Sequence, residues 1–267
     1  MSIRMIAIDL DGTLLHDDMS ISAYSCDVIR RAMEKGYKVV IATGRMWDSA
    51  RLKVDLLSLG NVPVICYTGA WIMMSETGET VEKEEMEPVL AEKILQSARG
   101  KGWHITSFMD DQIYMDQPDG TEIKYRKYRS RQPVFVGEEF YHPKKPVTRI
   151  VFSNPSFEER KRIREELEKE FGNKVDIVFP GDDFIDVHKK GINKAEAVRF
   201  LCRKEGFTMD EVMAFGNTEN DVPLLKEAGL SYAVANADDI AKDAAKEICP
   251  SNEEDGVART IEKMLDI

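Results

Sequence analysis

The chain has 267 residues, 43% of them hydrophobic, and sets 48 acidic against 37 basic side chains for a net charge of −11. That balance argues against sequence-independent nucleic-acid binding, which depends on neutralising phosphates, and no apolar run reaches membrane-spanning length. The amino terminus enters a strand with no signal peptide, and Cys26, Cys66, Cys202 and Cys249 lack close paired spacing, so the expectation is a cytoplasmic protein with reduced thiols and neither zinc site nor disulfide framework.

The first element is the apolar run Ile6-Ala7-Ile8, which ends in Asp9-Leu10-Asp11 and the turn Gly12-Thr13. Charges seldom occupy a strand unless something pairs with them, so two carboxylates at its carboxyl end suggest a cation site. Gly12 lets the chain turn at once, so both acids can converge on one reacting centre. One can attack phosphorus while the other handles protons, and Mg²⁺ suits such oxygen donors. A simple turn cap would also read this way.

A helix is expected from Ser22 to Lys35, then a strand from Tyr37 to Ala42 that runs into Thr43-Gly44-Arg45. That hydroxyl, flexible backbone and cation could hold phosphoryl oxygens, or form a helix cap. A helix from Met46 to Leu57 and a strand from Val62 to Tyr67 follow, with Met73-Met74 read as hinge packing. This βαβ progression predicts a doubly wound parallel sheet of the Rossmann-like α/β type, in residues 1–82 and 189–267.

Residues 83–188 read as an inserted α+β domain with a weak internal repeat. A helix from Pro88 to Lys101 and a hairpin (Ile105 to Phe108, Ile113 to Met115) are echoed by a helix from Phe157 to Phe171 and a hairpin (Val175 to Phe179, Phe184 to Val187). Its basic, aromatic run Lys124 to Arg131 could meet a sugar or a second phosphate; the plainer reading is a solvated face balancing Glu138 and Glu139. His188 is expected to be a hydrogen-bonded hinge residue and His16 a flap residue.

The core rhythm resumes with helices at Lys194 to Lys204, Glu219 to Glu227 and Val257 to Leu265, and strands near Val212 and Tyr232. Lys194 opens its helix, where a cation opposes the macrodipole, a poor place for a purely structural lysine. The strand from Val212 to Phe215 runs into Gly216-Asn217-Thr218-Glu219-Asn220-Asp221. All four motifs thus fall at carboxyl strand ends, where open α/β sheets bind ligands.

In this order the four motifs resemble the haloacid dehalogenase-like hydrolases, most closely the Cof-type sugar phosphatases with a large α+β cap, over essentially the whole chain. The resemblance implies a Mg²⁺-dependent phosphatase acting on a small phosphorylated metabolite, with Asp9 as nucleophile, Asp11 as general acid/base, Thr43 on the phosphoryl group and Lys194 steadying it. Gly44, Arg45 and Asn220 become candidate substrate contacts, and Asp9, Asp11, Asn217 and Asp221 the candidate metal set. Two positions depart from the family pattern. Asn217 stands where a metal-binding aspartate is usual, which removes one negative charge and implies a weaker metal site; Thr68 stands where an asparagine is usual. A phosphomutase on the same fold, or a phospholigand-binding protein with a decayed metal site, are the alternatives.

Overall fold

The computed structural model describes residues 3–123, 131–181 and 183–267. Lys124 to Ser130 of the basic run lie outside the described residues. The chain forms two compact units, one of residues up to Arg45, Ala50–Glu82 and Asn193–Ile267, the other of Met46–Ser49 and Lys83–Ile192. The second crossing falls at Ile192 rather than at 188. The reason is local: Lys190 N donates to Lys174 O and Gly191 N to Asp176 Oδ2, tying this stretch to the inserted unit.

The first unit begins with β1 (Met5–Ile8), α1 (Ala23–Glu34), β2 (Lys38–Ala42), α2 (Trp47–Leu57), β3 (Pro63–Cys66), β4 (Trp71–Met74) and β5 (Thr80–Lys83). The inserted unit supplies α3 (Pro88–Ala98), β6 (His104–Met109), β7 (Gln112–Met115), β8 (Val134–Phe135), β9 (Arg149–Ser153), α4 (Phe157–Phe171), β10 (Val175–Val178) and β11 (Phe184–Lys189). The chain then returns through α5 (Lys194–Glu205), β12 (Val212–Gly216), α6 (Val222–Glu227), β13 (Leu230–Val234), α7 (Asp239–Ala244), β14 (Glu247–Cys249) and α8 (Gly256–Leu265).

Among the described residues the first unit's sheet runs β14-β13-β12-β1-β2-β3-β4-β5, parallel from β14 to β3. Every residue of β1 is buried, as a central parallel strand covered on both faces requires. Met5 and Ala7 pack with Val40, Val212 and Ala214 against Ala195, Val198 and Leu201 of α5 and Leu224 of α6. Ser22 Oγ accepts from Ser25 N to cap α1, and Asn193 Oδ1 accepts from Glu196 N to cap α5.

Two local readings are corrected. Met73 and Met74 belong to β4, which pairs antiparallel with β3 and extends the sheet instead of forming a hinge. The helix expected from Glu219 begins as a 3-10 turn over Glu219–Asp221, and α6 follows with Pro223 in its first turn, where the missing N–H is tolerated.

In the inserted unit the sheet order is β10-β11-β9-β6-β7-β8. The two hairpins flank β9, a strand absent from the sequence reading, which pairs antiparallel with β11 on one side and β6 on the other. Ala91, Ile94 and Leu95 of α3 and Ile163 and Leu167 of α4 pack on Ile105, Ile150, Phe152, Ile185 and Val187, so both helices share one sheet face.

Candidate active site

The site begins where the central ladder ends. Asp9 N still donates to Phe215 O, which fixes the first residue beyond β1 beside β12. The chain then enters a turn over Leu10–Leu14 that Leu15 N closes on Leu10 O at 2.8 Å. Gly12 sits at φ +71°, and a Cβ there would stand 2.5 Å from Asn217 Nδ2. Glycine therefore serves both the turn and the close approach of the β12 loop.

At the centre lies Lys194, fully buried at the start of α5. Its Nζ donates to Asp9 Oδ1 and to Asp221 Oδ1, each at 2.6 Å. Asp221 Oδ2 accepts from Asn217 N at 2.9 Å and Thr218 N at 3.1 Å. This fold-back needs Gly216, because a Cβ at that position would lie 2.5 Å from Asp221 Cβ. Both oxygens of Asp221 thus accept hydrogen bonds, one from Lys194 and the other from the turn, so it orients the lysine.

Arg45 grips the second acid of the turn at both oxygens. Its Nε donates to Asp11 Oδ2 at 2.7 Å and its Nη2 to Asp11 Oδ1 at 2.6 Å, a planar fork on a carboxylate. Thr43 Oγ1 accepts from Arg45 N, and Thr68 N donates to Thr43 O. A Cβ on Gly44 would be 3.4 Å from both Asn220 Nδ2 and Thr68 Oγ1, so three strand-end loops meet here. Thr68 has φ +58°, and its buried hydroxyl has no hydrogen-bond partner among the described residues. Strain and an orphaned donor together mark a place for a ligand acceptor.

The charges do not balance: Asp9, Asp11 and Asp221 face Lys194 and Arg45. Burial, opposed by Lys194 and reinforced by Asp221 and Asp11, pushes the Asp9 carboxyl up to about 7. Burial would also lower Lys194, but Asp221 and Asp9 outweigh it and hold the ammonium above its ordinary value.

Among the described residues no three His, Cys, Asp or Glu side chains cluster as metal ligands. The donors present are hard oxygens: the Asp9 carboxylate, the Asn217 carboxamide and the backbone carbonyls of the turn. Such a sparse oxygen set, in a site one positive charge short of neutrality, fits a divalent cation that keeps several waters.

His16 and His188 stand apart from this cluster. His16 Nε2 is 3.2 Å from Asp255 Oδ1. His188 is buried in β11, yet neither ring nitrogen has a hydrogen-bond partner among the described residues; Asp186 Oδ2 lies 3.6 Å away. The expected hydrogen-bonded histidine is therefore not found. Sequence reading also missed Asn236, which donates to Gly12 O at 2.8 Å. Its place just beyond the carboxyl end of β13 was the available signal.

A family model described as haloacid dehalogenase-like hydrolase matches residues 6–261. The chain belongs to the haloacid dehalogenase-like hydrolases. This hydrolase is 33% identical to 5-amino-6-(5-phospho-D-ribitylamino)uracil phosphatase YcsE of Bacillus subtilis, over 97% of the chain and 94% of that relative. It is 26% identical to pyridoxal phosphate phosphatase YbhA of Escherichia coli, over 98% of each. Among solved structures, TM0651 from Thermotoga maritima superposes with a TM-score of 0.81 at 28% identity, covering 98% of this chain and 97% of that one. The hydrolase therefore shares fold and length with these proteins from end to end.

Proposed function

We propose that this phosphoric monoester hydrolase is a Mg²⁺-dependent phosphatase that transfers the phosphoryl group of a small metabolite to Asp9 and then to water. The carrying observation is Lys194, wholly buried and shared between Asp9 and Asp221 at the carboxyl ends of β1 and β12. A lysine so placed holds the Asp9 carboxylate in one orientation and leaves Oδ2 to attack.

In the first step Asp9 Oδ2 forms a bond to phosphorus as the bond to the leaving oxygen breaks, and Asp11 gives that oxygen a proton. In the second, Asp11 takes a proton from the water that attacks the aspartyl-phosphate, and inorganic phosphate departs. Arg45 grips both oxygens of Asp11 in the resting site, so this pair must open before Asp11 carries a proton. The incoming phosphoryl oxygens are the natural competitors for the guanidinium. Thr43, Gly44, Asn220 and Thr68 surround the space where those oxygens would sit, and Lys194 counters their charge.

Asp9, Asn217 and the Asp11 backbone carbonyl would hold the Mg²⁺. Bound there, the ion supplies positive charge against the phosphoryl oxygens and relieves the carboxylate excess. The relatives named for ribityl-phosphate and pyridoxal-phosphate chemistry support a compact phosphomonoester with a polar or heterocyclic leaving group as substrate. The test is phosphate release from a panel of phosphomonoesters across a wide Mg²⁺ range. Release that rises with Mg²⁺ is expected. An isomeric product without free phosphate would point to a mutase, and silence at every Mg²⁺ level would overturn the reading.

A further inference from the structure

Two carboxamides far along the chain grip the turn that carries Asp11. Asn236 Nδ2 donates to Gly12 O at 2.8 Å, and Asn236 Oδ1 accepts from Asn252 N at 3.0 Å. Asn252 Nδ2 in turn donates to Leu15 O at 3.0 Å and to Asp17 Oδ1 at 3.1 Å. The turn is therefore held on both sides of Thr13 by one continuous relay from the β13 and β14 ends of the sheet. Asp238 N also donates to Asn217 O, so the same loop braces the segment bearing the candidate metal ligand.

The relay has its own rigid base. Asp255 Oδ1 accepts from Ser22 Oγ and Ser25 Oγ, and Asp17 N donates to Glu253 Oε1. Gly256 lies so close to Pro250 O that a Cβ there would stand 1.8 Å from it. A carboxamide donates through its nitrogen and accepts through its oxygen, so Asn236 holds the Gly12 carbonyl and the Asn252 amide at the same time.

We propose that Asn236 and Asn252 are positioning residues that fix the catalytic turn, and through it the orientation of Asp11 relative to Asp9. The proposal rests on the phosphatase reading of the same site. The experiment combines Asn236→Ala, Asn236→Asp, Asn252→Ala and the double alanine variant, with Mg²⁺-dependent p-nitrophenyl phosphate kinetics and amide exchange of residues 8–16. Each single change should lower kcat about tenfold or more with KM within about threefold, because a slightly misplaced proton carrier slows chemistry more than binding. Asn236→Asp, which loses the donor and adds a charge, should be at least as impaired as Asn236→Ala. The double variant should fall little below the worse single one, since the two residues act as one relay.

Amide exchange in residues 8–16 should quicken while the remaining core strands hold. Asn236 is exposed, so its variants fold and decide the matter even where Asn252→Ala does not. Asn236 variants with kcat within twofold of the parent and unchanged exchange would overturn the proposal, as would a loss confined to KM. A parent that releases no phosphate sinks the phosphatase reading instead, and the exchange result still decides the clamp.

Discussion

Both units bury a cation against carboxylates, and the outcomes are opposite. In the core, Lys194 lies between Asp9 and Asp221, with Asp11 nearby, and Asp9 is pushed up to about 7 by burial that one lysine only partly offsets. In the inserted unit, Arg149 Nη1 donates to Asp186 Oδ2 at 2.7 Å, and the guanidinium lies 4.4 Å over the Phe108 ring. Burial would raise Asp186 as well, but Arg149 and His188 more than cancel it and hold that carboxyl below its ordinary value. A balanced pair is a structural device. An unbalanced one is a site still short of a positive charge, where a ligand can supply what the fold does not.

The contrast breaks most directly at Asp9. Asp9→Asn keeps an acceptor for Lys194 and removes the nucleophile, so phosphate release should fall at least about 10³-fold while the protein stays folded. Retained turnover in that variant would mean the imbalance serves something other than covalent transfer. Lys194→Met should remove activity and, by leaving two buried carboxylates unpaired, destabilise the fold by about 3–5 kcal/mol in denaturant titration.

Asp186→Asn tests the other side. It should cost about 2–3 kcal/mol of stability by removing the buried carboxylate that Arg149 Nη1 donates to, yet change kcat on p-nitrophenyl phosphate by less than about fivefold. A collapse of kcat there would show that the balanced pair is part of the chemistry. Asn217→Asp restores the missing negative charge, and the Mg²⁺ concentration for half-maximal activity should drop about tenfold. Equal Mg²⁺ requirements would remove Asn217 from the metal set.

The pH dependence sharpens the same point. Asp9 titrates near 7 in the folded protein against 3.8 as an ordinary side chain, so the folded state binds more protons between those values. Its contribution to stability is therefore greatest at low pH and is lost as pH rises from about 4 through about 7. The melting temperature of metal-free Asp9→Asn, relative to the parent, should climb across that window. Added Mg²⁺ should shrink the difference, since the ion competes with the proton for the same carboxylate.

Asp9, Asp11 and Lys194 were legible because each breaks a local rule: acids at the tip of an apolar strand, and a lysine opposing a helix dipole. What each would touch was not legible. Asp221 sits four residues past Asn217, and only the structure shows that Gly216 lets its carboxylate fold back onto backbone amides and Lys194. The Arg45 fork on Asp11 and the Asn236 relay join residues remote in sequence, and no local pattern encodes them. Strand β9 is hard to read from sequence for another reason. Its apolar Arg149–Ser153 run stands between two self-similar halves and belongs to neither, so the repeat encodes the hairpins and not the strand they share.

The central claim is that Asp9 becomes covalently phosphorylated. Acid quenching during steady-state hydrolysis, followed by peptide mass mapping, should find a hydroxylamine-labile phosphoryl adduct on the peptide containing Asp9, absent in Asp9→Asn. Phosphate release at the parental rate from Asp9→Asn, with no adduct on that peptide in either protein, would contradict it.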